Sequence, residues 1–227
     1  MTSQNLIIAL TKGRILEETL PLFRQADIVP KEDISSSRKL IFETNHENVK
    51  LMVIRGSDVP TYVEFGSADM GVTGKDLILE YGSEEFYEPL DLKIATCRLM
   101  TAEPAVSNPV SDRLRVATKF PNITKNYFAE RGKQIELIKL NGALELAPSL
   151  GLADSIVDIV DTGKTLKANG LEAKELIANI SSRVIVNKAS LKIKNAVIQD
   201  ILANLRLSLI HISEPTRRYA MAYAGVW

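Results

Sequence analysis

Cysteine and histidine are almost absent. Cys97 is the only cysteine in 227 residues, and His46 and His211 are the only histidines. One thiol excludes an intramolecular disulfide and any cysteine-rich zinc site. Two imidazoles exclude a multi-histidine metal centre. Net charge is also missing, because 28 Lys and Arg offset 28 Asp and Glu. Without a long-range field, neither duplex nucleic acid nor an anionic membrane is an expected partner. A local basic pocket for a small anion stays compatible with that balance. No apolar run approaches the roughly 20 residues that span a bilayer. The start, Met1-Thr2-Ser3-Gln4-Asn5, lacks the basic and apolar segments of a signal peptide. The expected setting is a reducing cytoplasm.

What is present has an ordinary globular composition, 45% apolar and 25% charged, at a length that suits one domain or two small ones. Strand and helix patterns alternate. Leu6 to Leu10 is a short continuous apolar run, as in a strand covered on both faces, and a helical spacing follows from Ile15. Leu40–Phe42, Val49–Ile54 and Ala68–Val72 read as further strands, with helices opening near Asp58 and Gly74. Leu92 to Thr101 is long and apolar enough to cross between two lobes. Residues 105–113 have a loop or hairpin composition. Leu114 to Lys119 and the helix after it then echo Ile7 to Lys12 and its helix. Strands follow at 134–140 and 155–160, a return crossing at Ser182–Asn187, and a closing helix over Ser190–Leu205. The expectation is an α/β protein of two lobes with a central cleft. Residues 1–95 and 180–206 form lobe I, and residues 96–179 form an inserted lobe II.

The sharpest chemical segment is Asp158-Ile159-Val160-Asp161-Thr162-Gly163-Lys164-Thr165. An apolar strand ends in an acid, then Thr-Gly-x-Thr enters a helix. Gly163 lets backbone N–H groups approach a phosphate, and Thr162 and Thr165 add hydroxyl donors. Asp158 and Asp161 suit sugar hydroxyls or Mg²⁺. A plain capped turn accounts for the same residues equally well. Lys12-Gly13-Arg14 puts two cations directly after the first strand, where they could clamp a polyphosphate; the alternative, solvated basic residues at a helix start, is weakened because the helix dipole favours acids there. Arg38 and Arg55 follow a Ser-rich turn and a strand; each taken alone reads as a rim arginine. Gly71-Val72-Thr73-Gly74-Lys75-Asp76 is a further glycine-rich strand-to-helix turn that could place backbone donors against a ring or phosphate, though taken alone it reads as a capped tight turn; Asn141 to Glu145 is similar, with Glu145 an acceptor for ribose hydroxyls or a helix-start charge. His46 and Cys97 show no nucleophile–base pattern, which leaves hydrolase triads without support.

In combination these segments resemble the ATP phosphoribosyltransferases. The resemblance rests on Leu10 to Leu16, Ser37 to Leu40, Arg55-Gly56-Ser57-Asp58-Val59-Pro60, Gly71 to Asp76, Glu145-Leu146-Ala147-Pro148 and Asp158 to Leu171, in that order. It covers about Leu6 to Leu205. With the chain closing soon afterwards, the short form of the family is the one it resembles. The resemblance implies a two-lobe, periplasmic-binding-protein-like (type II) fold. It implies transfer of phosphoribosyl from phosphoribosyl pyrophosphate (PRPP) to N1 of the adenine of ATP, with Mg²⁺, as the first step of histidine biosynthesis. It also implies a homodimer within a hetero-oligomer whose regulatory subunit resembles histidyl-tRNA synthetase.

Carried onto this sequence, Arg14 and Arg38 stabilise the leaving pyrophosphate. Glu145, Asp158, Asp161, Thr162, Gly163, Lys164 and Thr165 hold PRPP. Lys12, Gly13, Arg55, Thr73, Gly74 and Asp76 hold ATP. The metal ligands are not assigned. The rival readings are another phosphoribosyltransferase, or a non-catalytic two-lobe protein that binds a small ligand. Residues 207–227 depart from the family's C-termini and resemble translated sequencing-adaptor sequence, as an assembly artefact or frameshift produces; no function is placed on them.

Overall fold

Apolar runs fold into two separate sheets. The computed structural model describes residues 5–105 and 113–213, so most of the expected 105–113 loop lies outside the described residues. The chain divides into two compact units: residues 1–74, 83–95 and 182–227, and residues 75–82 and 96–181. Residues 75–82, which the sequence reading keeps in lobe I, belong to the second unit. Nothing in the composition between Gly74 and Lys75 marks that change, because the strand runs straight into the helix.

The first unit is built from β1 (Leu6–Thr11), α1 (Arg14–Gln25), β2 (Ile41–Glu43), β3 (Val49–Ile54), α2 (Val59–Glu64) and β4 (Met70–Gly74). After α3 (Lys75–Tyr81), which belongs to the second unit, it adds β5 (Phe86–Asp91). The second unit continues with β6 (Cys97–Pro104), β7 (Leu114–Thr118), α4 (Pro121–Glu130), β8 (Ile135–Lys139), α5 (Leu146–Ser149), β9 (Ser155–Val160), α6 (Lys164–Ala168) and β10 (Leu171–Ile180). The chain returns to the first unit as β11 (Ser182–Asn187), α7 (Lys188–Ile193) and α8 (Asn195–Ser213).

The first sheet has the order β2-β3-β1-β4-β11-β5 and the second β10-β6-β9-β7-β8. β1 runs parallel to β3 and β4, and β7 runs parallel to β8 and β9. The echo between the two units extends to side chains. Thr11 Oγ1 donates to Val72 O on the neighbouring strand at 2.8 Å, and Thr118 Oγ1 donates to Val157 O at 2.8 Å.

Burial explains the helices. α1 turns Leu16, Thr19, Leu22 and Phe23 inward, against a core that also takes Ile8, Leu51 and Leu202. Each large apolar side chain so buried contributes about 1.5–3 kcal/mol. α2 lies very close to β4: a Cβ on Gly71 would fall 2.6 Å from Val59 Cγ1 and 2.9 Å from Val63 Cγ2. Gly71 is therefore a packing glycine inside a strand, not part of a ligand turn. The single closing helix expected over 190–205 is two helices, and α8 runs on to Ser213, past the boundary set at 206.

Candidate active site

Parallel pairing brings the carboxyl ends of β1, β3 and β4 to one edge of the first sheet. Thr11 pairs with Ile54 in the parallel register, and Lys12 N donates to Ile54 O at 2.9 Å. Lys12 and Arg55, each next along the chain, leave that edge together. β2 is antiparallel to β3, and Val53 N donates to Leu40 O, so the segment entering β2 brings Arg38 to the same edge. Gly13 caps α1 at φ 93°, ψ −146°, a conformation that only glycine adopts readily, and this starts α1 with Arg14 at the edge.

Lys12, Arg14, Arg38 and Arg55 are all exposed. Arg14 Nε donates to Glu18 Oε1 at 2.7 Å. The side chains of Lys12, Arg38 and Arg55 make no hydrogen bond or ion pair among the described residues. Three uncompensated cations and one partly compensated arginine at strand ends form a ready anion site. Thr73 is fully buried, and its hydroxyl donates to Gly56 O at 3.1 Å. It thus shapes the loop that follows Arg55.

The second unit repeats the arrangement. Lys119 follows β7, Glu145 lies between β8 and α5, and Asp161 to Thr165 follow β9, all at the carboxyl ends of parallel strands. Gly163 sits at φ 72° as the residue before α6, and Lys164 N approaches Thr162 Oγ1 at 3.5 Å. The loop is exposed apart from half-buried Gly163, so its polar groups face solvent.

Beside that loop lies a charged cluster of Asp76, Lys119 and Asp158. Asp76 is only 7% exposed, and burial pushes its carboxyl above the ordinary value of 3.8. The Leu77 N–H and the Lys119 charge oppose that rise, and Asp158 adds to it. Lys119 Nζ stands 3.3 Å from Asp158 Oδ1, a buried oxygen that accepts no hydrogen bond. The ion pair and the missing hydrogen bond are compatible: the distance suffices for Coulomb attraction, but the angles are too poor for a bond.

Asp76 is therefore grouped with the residues expected to hold PRPP, whereas the other residues expected to hold ATP lie in the first unit. Lys119 is absent from the sequence-based site. The Thr118-Lys119 echo of Thr11-Lys12 was the signal that could have found it. His46 caps a turn, with Nε2 2.7 Å from Asp27 O. Cys97 is half-buried beside the apolar cluster around Phe120.

The sequence profile of the HisG family, ATP phosphoribosyltransferase, matches residues 55–207. The ATP phosphoribosyltransferase of Saccharophagus degradans is 66% identical over 197 residues, covering 87% of this chain and 92% of that protein. The one from Hahella chejuensis is 62% identical over 198 residues, covering 87% and 94%. The solved ATP phosphoribosyl transferase (HisG:HisZ) complex from Thermotoga maritima matches with a TM-score of 0.80 at 33% identity, over 91% of this chain and 99% of that one. The periplasmic aliphatic sulphonate binding protein SsuA from Escherichia coli matches with a TM-score of 0.56 at 17% identity, over 96% and 77%. That second likeness is one of fold alone and identifies the architecture as the two-lobe, periplasmic-binding-protein-like type. With cations at the strand ends of one unit, a Thr-Gly-Lys-Thr loop in the other, and relatives matched over nearly their whole length, this chain belongs to the ATP phosphoribosyltransferase family.

Proposed function

We propose that this chain transfers the 5-phosphoribosyl group of PRPP to N1 of the adenine ring of ATP, releasing pyrophosphate, as the first step of histidine biosynthesis. The observation that carries the chemistry is the set of four cations at the carboxyl edge of the first sheet, three of them without a carboxylate partner among the described residues. A solute-binding protein of the same fold has no need of such a set. The match to relatives named for this activity supports the same choice over another phosphoribosyltransferase.

In the reaction the bond from the ribose carbon to pyrophosphate loosens, and negative charge collects on the leaving oxygens. Arg14 and Arg38 stabilise that charge, a guanidinium following two oxygens at once. Lys12 and Arg55 bind the phosphates of ATP. Gly13, Thr73 and Gly74 shape the backbone around the nucleotide, and Asp76 is the further residue that the family resemblance assigns to ATP. Asp161 to Thr165 cradle the ribose phosphate, and Glu145 and Asp158 accept from ribose hydroxyls. N1 of adenine attacks with its own lone pair, so positioning and charge do most of the work.

A magnesium ion fits this site as a companion of the pyrophosphate. No group of three or more His, Cys, Asp or Glu side chains exists among the described residues to cage a resident ion. Mg²⁺ is commonly held by one or two carboxylates plus substrate phosphates. Asp158 would offer it a carboxylate, although its buried Oδ1 already faces Lys119 Nζ at 3.3 Å. When bound, the ion neutralises pyrophosphate charge.

The match to the HisG:HisZ complex supports a regulatory partner of the HisZ kind, the histidyl-tRNA-synthetase-like subunit, for this short-form chain. Among the described residues no helix is long and apolar enough to cross a membrane. We place the enzyme in the cytoplasm. The direct test is incubation with PRPP, Mg²⁺ and ATP while following the ultraviolet absorbance of the N1 adduct and the release of pyrophosphate. Adduct formation supports the proposal; PRPP binding without adduct points to the binding-protein reading.

A further inference from the structure

Strand β6 carries a cation on a face that is otherwise apolar. Arg98 lies opposite Val160 in the antiparallel β6–β9 register, so the two side chains stand on one side of the sheet. The next residues of β6 on that side, Met100 and Ala102, are buried in one apolar cluster with Val160 and with Leu166 of α6. Arg98 instead lines a cavity of about 360 Å³, the size of a small-ligand pocket. Thr162 and Gly163 line the same cavity from the loop after β9, Lys167 from α6, and Glu172 from β10. Gly163 leaves room there: the Cβ that it lacks would meet only Val160 Cγ1, at 3.8 Å.

The charges around this cavity do not balance. The side chains of Arg98 and Lys167 make no hydrogen bond or ion pair among the described residues. Glu172 is already engaged by Lys174 Nζ, at 2.8 Å. Lys167 lies in the last turn of α6, where a cation also suits the helix dipole. Arg98, a strand residue without a carboxylate partner, has no such reason to be there. The Asp161 to Thr165 turn holds one acid and one base, so it offers a phosphate donors but no net charge. We infer that Arg98 is a specificity-determining residue: across the cavity it shares with Thr162 and Gly163, it binds the 5-phosphate of the phosphoribosyl donor, and Lys167 adds to the positive charge. A guanidinium meets two phosphate oxygens at once, and a sugar without the phosphate leaves it unpaired. This inference rests on the assignment of the Asp161 to Thr165 turn to the ribose phosphate.

Arg98→Met tests it by keeping an apolar stem and removing the charge. Arg98 is exposed, so the fold should survive the change. The whole chain, Arg98→Met and Arg98→Lys are compared by titration calorimetry. PRPP is titrated directly, and ribose 5-phosphate and pyrophosphate are measured by competition against it. In Arg98→Met, PRPP and ribose 5-phosphate are each expected to bind about tenfold more weakly, with pyrophosphate unchanged. Arg98→Lys should recover part of the loss, because it returns the charge without the fork. Unchanged ribose 5-phosphate affinity in Arg98→Met overturns the inference and leaves the turn's assignment standing. An equal loss for pyrophosphate also overturns it, because Arg98 would then attract anions without selecting the sugar phosphate. A merely structural role would lower all three affinities together with the melting temperature, and overturns it as well. Ribose 5-phosphate that fails to displace PRPP from the parent chain overturns the turn's assignment, and this inference with it.

Discussion

Lys119 Nζ stands 3.3 Å from the buried Oδ1 of Asp158, an oxygen with no hydrogen bond of its own. The pair sits where β7 and β9 run parallel, one residue past the Thr118–Val157 register. Lys119 is thus the only charge partner recorded for that oxygen among the described residues. Lys119→Met keeps the stem and removes the charge. It is expected to weaken PRPP binding by at least about tenfold, roughly 1.4 kcal/mol, read by titration calorimetry. Unchanged affinity would separate this pair from the PRPP site.

Asp76 gives a pH signature. Burial raises its carboxyl above the ordinary 3.8, so the folded chain holds a proton that the unfolded chain has already released. That contribution is fully present below 3.8 and is lost as pH rises through the raised value. Asp76→Asn removes this loss. Its melting temperature relative to the parent should climb from about pH 4 upward and then level off, once both states of the parent are ionised. Parallel melting curves across pH 4 to 8 would contradict the buried, raised carboxyl.

Gly163 separates binding from folding. Its φ is 72°, and the nearest atom to an added Cβ is Val160 Cγ1 at 3.8 Å. Space is open, so the cost of Gly163→Ala is backbone strain of about 1–2 kcal/mol, a fall of roughly 2–8 °C in melting temperature. Gly163→Val adds β-branching and a side chain where the sugar phosphate is proposed to pack. Its PRPP affinity should fall by at least about tenfold in a folded protein. Full affinity in folded Gly163→Val would remove the loop from the PRPP site.

A buried network closes the first unit far from the proposed chemistry. Asp69 accepts from Ile7 N at 2.9 Å, Ser190 Oγ at 2.6 Å and Lys194 Nζ at 2.8 Å, and Lys194 also donates to Asn5 O. The network ties the starts of β1 and β4 to α7 and the residue that joins it to α8. Lys194→Met leaves Asp69 buried with a charge it can no longer pair, at a cost of about 3 kcal/mol. Thermal unfolding should begin roughly 6–12 °C lower, with single-turnover chemistry intact below the melt. A shift of less than about 1 °C would show that the network bears no load.

How far the sequence reaches depends on burial. β1, β3 and β9 are legible because both of their faces are covered, and their apolar runs are nearly continuous. β5 and β10 are not. Each is an edge strand, and Leu171-Glu172-Ala173-Lys174-Glu175 exposes all but its first residue, so charge hides the strand. The α7–α8 break at Lys194 has no glycine or proline to mark it, and the contact found there, from Lys194 to Asp69, joins residues distant in the sequence. Among the site segments, Lys12-Gly13-Arg14 and Asp158 to Thr165 stand out because cations or glycines occupy strand ends, where packing alone does not ask for them. Arg98 and Lys119 stay hidden. Each reads as an ordinary surface charge until the fold sets the one in a cavity with Thr162 and Gly163 and the other beside Asp158.

The central claim is that fixed positive charge at the first sheet's edge drives the departure of pyrophosphate. Losing such a donor should affect the transition state more than the ground state. The most direct measurement is the single-turnover rate of Arg14→Ala and Arg38→Ala at saturating ATP and PRPP. Each is expected to be slower by about 10²-fold or more, on the scale of about 3 kcal/mol for a lost charge-stabilising donor. Lysine at either position should restore part of the rate, since it returns the charge without the bidentate fork. Unchanged chemical rates in both alanine variants, with raised Michaelis constants that recover as salt screens the site, would contradict the claim and leave both arginines as rim residues that only attract anions.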